Sequence, residues 1–196
     1  MKLFWAPQTR STRAIWMLEE LGIDYERELV DIRSPDRSDS AEFRTASPMG
    51  KVPALIDGET AMSESAAICL YLADRYGGGR LAPAVDAAER GRFLYWIMYT
   101  PAVVEPAMSE KFSGIEPNRG RSGWGDFDSM IATWEQGLGD DDWIVGNQFS
   151  AADVMLGSSA VFLRMFDMLP DLAVLGAYAD RCLQRPAYRK AIEISS

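Results

Sequence analysis

Apolar positions along the chain change their period, and the changes mark out elements. Lys2 to Ala6 is a short apolar run that predicts a strand. After the loop Pro7-Gln8-Thr9-Arg10-Ser11, the spacing of Ala14, Ile15, Leu18 and Leu21 predicts a helix, and Gly22 stops it. Ile23 to Ile32 alternates at its core, YERELVDI, and predicts a second strand. Arg33 to Ser40 is a polar loop, and Glu42 to Ala46 a short helix. Ser47-Pro48-Met49-Gly50 is turn chemistry, because Pro presets φ and Gly accepts φ > 0. Val52 to Ile56 reads as a strand, Asp57-Gly58 as a two-residue hairpin turn, and Ala61-Met62 as the returning strand. Ala67, Ile68, Tyr71, Leu72 and Tyr76 then stand at helical spacing, in a helix that starts at Ser63 or Glu64 and ends at Gly77 to Gly79.

This order, βαβ followed by ββα, is that of a thioredoxin-like α/β domain, predicted over residues 1–77. The Cys-x-x-Cys such a domain often carries at its first helix is absent, so dithiol redox work is not expected. Residues 78–85, rich in Gly and Pro, predict a linker. Beyond it the strand signals stop. Ala87 to Lys111 is one long helical pattern that Pro101 and Pro106 should kink or split. Ser113 to Gly125 reads as a loop and Phe127 to Leu138 as a helix. Trp143 to Gly146 is a short extended piece. Ser150 and Asp153, three apart before the apolar run Val154 to Phe166, form a capping-box pattern, with Phe149 and Val154 as the hydrophobic staple. Leu172 to Leu183 and Ala187 to Ile194 are the last helices. Residues 86–196 are therefore predicted to be an all-helical domain.

Composition narrows the chemistry. In 196 residues, 47% hydrophobic and 25% charged, the totals are those of a globular protein. A net charge of −9 argues against nucleic acid and anionic membrane as partners. No run reaches the roughly 18 apolar residues of a membrane span, and the N-terminus lacks a signal-peptide pattern, so a cytoplasmic protein is expected. Cys69 and Cys182 lie far apart in apolar helical patterns and suggest neither a disulfide framework nor a metal site. Histidine is missing altogether, which excludes Ser-His-Asp and Cys-His sites and His general-base catalysis. Hydroxyls, carboxylates, arginines, backbone dipoles or a ligand's own reactive group remain.

Two corners of the stretch from Ser47 to Tyr76 carry candidate chemistry. Pro53 falls at a strand start, where its missing N–H breaks a ladder bond. Its neighbours admit an edge-strand proline or a cis proline. A cis bond would turn the N–H and C=O of Val52 outward, free to pair with an extended peptide. Glu64-Ser65 sits at a helix N-terminus, which is either an ordinary capping segment or an anion site whose adjacent Glu holds an ammonium. A carboxylate and an ammonium on one carbon make an amino-acid head group.

G-K-V-P-A-L, followed about ten residues later by S-E-S-A-A-I, resembles the glutathione-binding half of the cytosolic glutathione transferases. W-I-V-G-N-Q-F-S-A-A-D-V and L-E-E-L-G-I-D-Y-E extend the resemblance over both domains. It implies glutathione as co-substrate. Val52, before Pro53, would pair with the cysteinyl backbone of glutathione, Glu64 and Ser65 would hold its γ-glutamyl head group, and Lys51 would help at the far carboxylate. It further implies a homodimer, a small hydrophobic electrophile as second substrate, no metal, and a folding role for Ser150 and Asp153.

Glutathione chemistry needs a thiolate. A free thiol has a pKa of roughly 8.5, and lowering it by about two units stabilises the anion by roughly 2.7 kcal/mol. A helix N-terminus supplies about 0.3–1 kcal/mol and one hydrogen bond to the anion roughly 1.5–3 kcal/mol. One group aimed from the loop before the first helix is therefore enough, and Thr9, Ser11 and Arg10 are the three candidates. The family uses Tyr, Ser or Cys near this place. No Tyr or Cys precedes Tyr25 here, and Ser11 doubles as a possible helix cap. Trp5, Trp96, Tyr99, Met108 and Phe112 are either apolar lining for the electrophile or packing, and Arg119 and Arg121 either meet an anionic substrate or are solvated. The alternative to a transferase is a non-catalytic member that keeps the fold as a binding or regulatory scaffold.

Overall fold

The structure, a computed structural model, describes residues 1–196. It divides into two compact units. One comprises Met1–Gly78 together with Leu183–Ser196, the other Gly79–Cys182.

The first unit is built on a four-stranded sheet. Strands β1 (Lys2–Trp5), β2 (Glu26–Leu29), β3 (Ala54–Asp57) and β4 (Thr60–Ser63) lie in the order β2-β1-β3-β4. β1 runs parallel to β2, with Leu3 opposite Arg27, and antiparallel to β3, with Leu3 opposite Leu55. Asp57 and Thr60 close the hairpin between β3 and β4, so its two turn residues are Gly58-Glu59 rather than the expected Asp57-Gly58, with Gly58 at φ 60°. Helices α1 (Ser11–Leu21), α2 (Ala41–Ala46) and α3 (Ser65–Tyr76) complete the thioredoxin-like pattern. α1 ends as its sequence predicts, at Gly22 in the left-handed region with φ 66°. Leu3, Phe4, Ala14, Ile15, Leu18, Leu55, Ile68 and Leu72 are fully or almost fully buried, so the apolar periods of strands and helices meet in one core.

Two strands are shorter than their sequence patterns. β2 covers Glu26–Leu29 rather than Ile23–Ile32, because it is an edge strand and most of its residues face water. β3 begins at Ala54 rather than Val52, since Pro53 has no N–H for the ladder. The last helix, α9 (Pro186–Ser195), is grouped with this unit and packs along α1.

The second unit is helical: α4 (Arg90–Tyr99), α5 (Glu105–Phe112), α6 (Phe127–Leu138), α7 (Ala151–Met165) and α8 (Ala173–Gln184, whose last two residues fall in the other unit). Pro101 splits the long helical pattern as expected, through a π-helical turn at Thr100–Val104. Pro106 is accommodated in the first turn of α5, where an N–H is not needed. α7 carries the predicted capping box. The Ser150 N–H donates to Asp153 Oδ2 at 2.9 Å. Cys69 and Cys182 are free and buried. No helix is long and apolar enough to cross a membrane.

Candidate active site

The loop before α1 is organised by hydroxyls. Thr9 Oγ1 lies 2.7 Å from the Ala6 carbonyl and 2.9 Å from Ser11 Oγ, and accepts from the Ser11 N–H at 3.1 Å. Ser11 Oγ accepts from the Ala6 N–H at 3.3 Å. Ser11 is fully buried, whereas Thr9 is half-buried and Arg10 exposed. Ser11 is the first residue of α1 and Arg10 its cap position, so Ser11 is not the N-cap. Its hydroxyl ties the loop to the end of β1 instead.

The second corner is the turn before β3. Ser47, itself buried, holds Lys51 from both sides: its hydroxyl donates to the Lys51 carbonyl at 2.7 Å and accepts from the Lys51 N–H at 2.8 Å. The Val52–Pro53 peptide bond is cis. Val52 stands outside the strand ladder, and none of the backbone hydrogen bonds made in turns and loops uses its N–H or carbonyl.

These two corners face one cavity of about 640 Å³. Thr9, Arg10, Lys51 and Val52 line it, and so do Gln8, Arg37, Arg44 and Gly50. Ser11, Pro53, Glu64 and Ser65 are not among its lining residues. Glu64 caps α3 with φ 73° and its side chain is exposed, while Ser65 is buried at the first position of that helix, its Oγ 3.5 Å from Arg13 Nη1. The cavity is strongly cationic: Arg10, Arg37, Arg44 and Lys51 are its charged lining, and no carboxylate lines it. That balance suits a ligand with an excess of carboxylates over ammonium groups.

Arg37 and Arg44 were not legible as site residues. Each stands in a polar stretch and reads there as a solvated charge. Their signal is tertiary, a shared ion pair with the buried carboxylate of Asp39. Cys69 is excluded as a nucleophile, since burial pushes its thiol up to about 12. Among the apolar residues expected as lining or packing, Trp96 and Tyr99 are core residues of the second unit, and the Tyr99 hydroxyl donates to the Met130 carbonyl at 3.0 Å. Phe112 is 61% exposed and stacks edge-on against Phe166. Arg119 pairs with Asp126 at 2.6 Å.

Residues 9–75 match the glutathione S-transferase N-terminal domain and residues 85–181 its C-terminal domain. The glutathione S-transferase hmp2 of Hypomyces subiculosus is 31% identical over 169 residues, 80% of this chain and 79% of that protein. Glutathione S-transferase GstA of Escherichia coli O157:H7 is 26% identical over 195 residues, 98% of this chain and 97% of that one. Among solved structures, a sphingomonad glutathione S-transferase complexed with glutathione superposes with a TM-score of 0.79 at 29% identity, covering 100% of this chain and 98% of the other. The chain belongs to the glutathione S-transferase family.

Proposed function

We propose that the chain is a glutathione transferase whose tripeptide runs from the N-terminus of α3 into the cationic cavity of the first unit, its thiol directed to the loop before α1. The observation that carries this reading is the unpaired Val52 backbone: Val52 lies outside the ladder, makes no turn or loop backbone hydrogen bond, and lines the same cavity as Thr9 and Arg10, so it is able to pair with a peptide backbone. Lys51 and Arg10 supply counter-charge for the far carboxylate of the tripeptide. Glu64 and Ser65 take the γ-glutamyl head group, the ammonium on the exposed Glu64 carboxylate and the carboxylate at the N-terminus of α3.

In the reaction the thiol loses its proton to solvent, and the sulfur then forms a bond to an electrophilic carbon while a leaving group departs with the electron pair. The protein's part is to stabilise the thiolate before the electrophile meets it. Thr9 takes this role as a lining residue of the cavity, its hydroxyl turning from the Ala6 carbonyl and Ser11 Oγ, at 2.7 and 2.9 Å, to donate to the thiolate. Arg10 lines the same cavity as a charged alternative, and Ser11 acts through Thr9 Oγ1. The second substrate is a small hydrophobic electrophile. The working form is a homodimer, and Tyr95 and Met98, about half exposed on α4, give it apolar surface to bury. A cytoplasmic setting agrees with two free thiols.

The test is a thiolate titration followed in the ultraviolet, with glutathione bound to the wild type and to Thr9→Ala, Arg10→Ala and Ser11→Ala. The reading expects bound glutathione to titrate well below about 8.5 in the wild type, and one variant to return it toward that value. Bound glutathione with an unshifted thiol would make the chain a scaffold. A protein that passes a glutathione column unretained would remove the site altogether.

A further inference from the structure

Asp39 is a carboxylate with almost no access to water: its side chain is 1% exposed. Such a group is stable as an anion only when cations and donors surround it. Two arginines do so. Arg37 Nε lies 2.6 Å from Asp39 Oδ1 as an ion pair, Arg37 Nη2 donates to Oδ2 at 3.2 Å, and Arg44 Nη2 lies 2.7 Å from Oδ2. Arg37 then reaches further. Its Nη2 donates to the Gly50 carbonyl at 3.1 Å, and its guanidinium lies over the ring of Phe43, 5.7 Å from the centroid. Phe43 is buried and packs against Phe4 of β1 at 5.3 Å. One guanidinium is thus fixed by a carboxylate and an aromatic face, and its Nη2, shared between Asp39 and Gly50, holds the turn that leads into Lys51 and Val52.

Gly50 is fitted to this contact. Its φ is +64°, a conformation open to glycine, and a Cβ there would stand 2.8 Å from Arg37 Nη2. Ser47 secures Lys51 from the other side of the turn. The segment Gly50-Lys51-Val52 is therefore held at Gly50 by Arg37 and at Lys51 by Ser47, and all of it lines the cavity.

We infer that Arg37, Asp39 and Arg44 form a brace that sets the position of the Gly50-Lys51-Val52 segment, and that the brace governs how tightly glutathione binds. The inference rests on the glutathione-site reading above. Arg37 and Asp39 are positioning residues: they act through Gly50, and the loop that handles the thiol is built separately by Ala6, Thr9 and Ser11. The rival role for Arg37 is that of a plain cation attracting an anionic ligand. The two roles respond differently to lysine, which keeps the charge and loses the planar fork.

The experiment measures glutathione affinity by calorimetry, kcat at saturating glutathione and the bound-thiol titration, for wild type, Arg37→Lys and Gly50→Ala. The brace predicts about tenfold weaker binding in both variants, with kcat and the thiol titration unchanged. Arg37→Lys binding as tightly as wild type overturns it in favour of simple attraction. Losses of kcat or of thiol acidity in step with affinity also overturn it, since they mark general damage to the domain. Asp39→Asn, which keeps the shape and removes the charge, is expected to match Arg37→Lys and stands in should either variant not fold. Failure of the wild type to bind glutathione would count against the site reading itself.

Discussion

The Gln8 backbone N–H donates to the carbonyl of Ser195 at 3.0 Å, joining the loop before α1 to the last turn of α9. Gln8 has φ 55°, unusual for a residue with a side chain, and its amide oxygen accepts from Arg33 Nη2 at 3.2 Å. A conformation of this kind persists where its surroundings over-determine it. Here α9 does so. It is docked on α1 by the forked Arg185–Glu20 pair at 2.6 and 2.7 Å, by Lys190–Glu19 at 2.6 Å, and by Tyr188 edge-on to Trp16 at 4.7 Å. Removing Ser195 and Ser196 takes away the acceptor and leaves the docking pairs in place. We expect kcat/KM to fall about fivefold, the scale of one hydrogen bond, with the melting temperature changed little. Gln8→Gly in the shortened chain, which adopts positive φ freely, should recover part of the loss.

The three candidates in the same loop separate by where they sit. Ser11 is fully buried and satisfies the Ala6 N–H, so Ser11→Ala leaves a buried donor unpaired. That variant should lose about 1–3 kcal/mol of stability, read from its urea midpoint. Thr9→Ala removes the hydroxyl of a half-buried, cavity-lining residue and should cost less stability, while raising the titration of bound glutathione by about one to two pH units. A thiol that titrates in both variants as it does in the wild type would shift the assignment to Arg10.

Much of the fold is legible in the sequence because its signals are local. Asp57-Gly58 calls for a hairpin, which forms one residue later at Gly58-Glu59, Gly22 for a helix stop, and Ser150 with Asp153 for a cap, and each acts over a few residues. Pro53 is intermediate: its neighbours permit an edge strand or a cis bond, and the structure has the cis bond. Arg37, Asp39 and Arg44 are illegible for a different reason. Read singly, they are charges in a polar stretch, and their meaning depends on burial of Asp39 and on a contact with Gly50 thirteen residues away. The helical period of Pro186 to Ser195 is likewise plain, but not that it packs on α1, since Arg185 and Glu20 are 165 residues apart.

In the second unit Asp153 ties three segments together. Its Oδ1 accepts from the Ile144 N–H and the Tyr178 hydroxyl, each at 2.9 Å, and its Oδ2 from the Ser150 N–H at 2.9 Å and the Ser150 hydroxyl at 3.1 Å. Complete burial pushes the carboxyl up to about 6 against the pull of these donors. Its folded value is then above the ordinary 3.8 of the unfolded chain, so the folded state binds the proton more tightly. The resulting stability is fully present below about pH 4 and is lost as pH rises to about 6, a change of roughly 3 kcal/mol. Asp153→Asn has no proton to exchange. The stability gap between wild type and this variant should be wider in the wild type's favour at pH 4 than at pH 7, as read by urea unfolding. An equal gap at both pH values would mean that the four donors just offset burial, and a wider gap at pH 7 that they outweigh it.

Gly137 and Gly91 predict opposite signs for one substitution. Both lie within helices, where Ala is favoured over Gly by roughly 0.5–1 kcal/mol when space allows. At Gly91 a Cβ meets nothing within 4 Å, so Gly91→Ala should raise stability by up to that amount. At Gly137 a Cβ would fall 1.9 Å from Trp96 Cζ2 and 2.4 Å from Cη2. Trp96 cannot yield easily, being 4% exposed and edge-on to Tyr95 and Tyr99 at 4.9 and 5.0 Å. The Gly137 carbonyl is also held by Arg92 Nη2 at 2.8 Å, which resists a shift of the α6 backbone. Overpacking of this kind costs about 1–3 kcal/mol, more than the gain in helix propensity. Gly137→Ala should therefore lower the urea midpoint and Gly91→Ala raise it. A rise in both would show that the α4–α6 contact through Trp96 is looser than the side-chain packing implies.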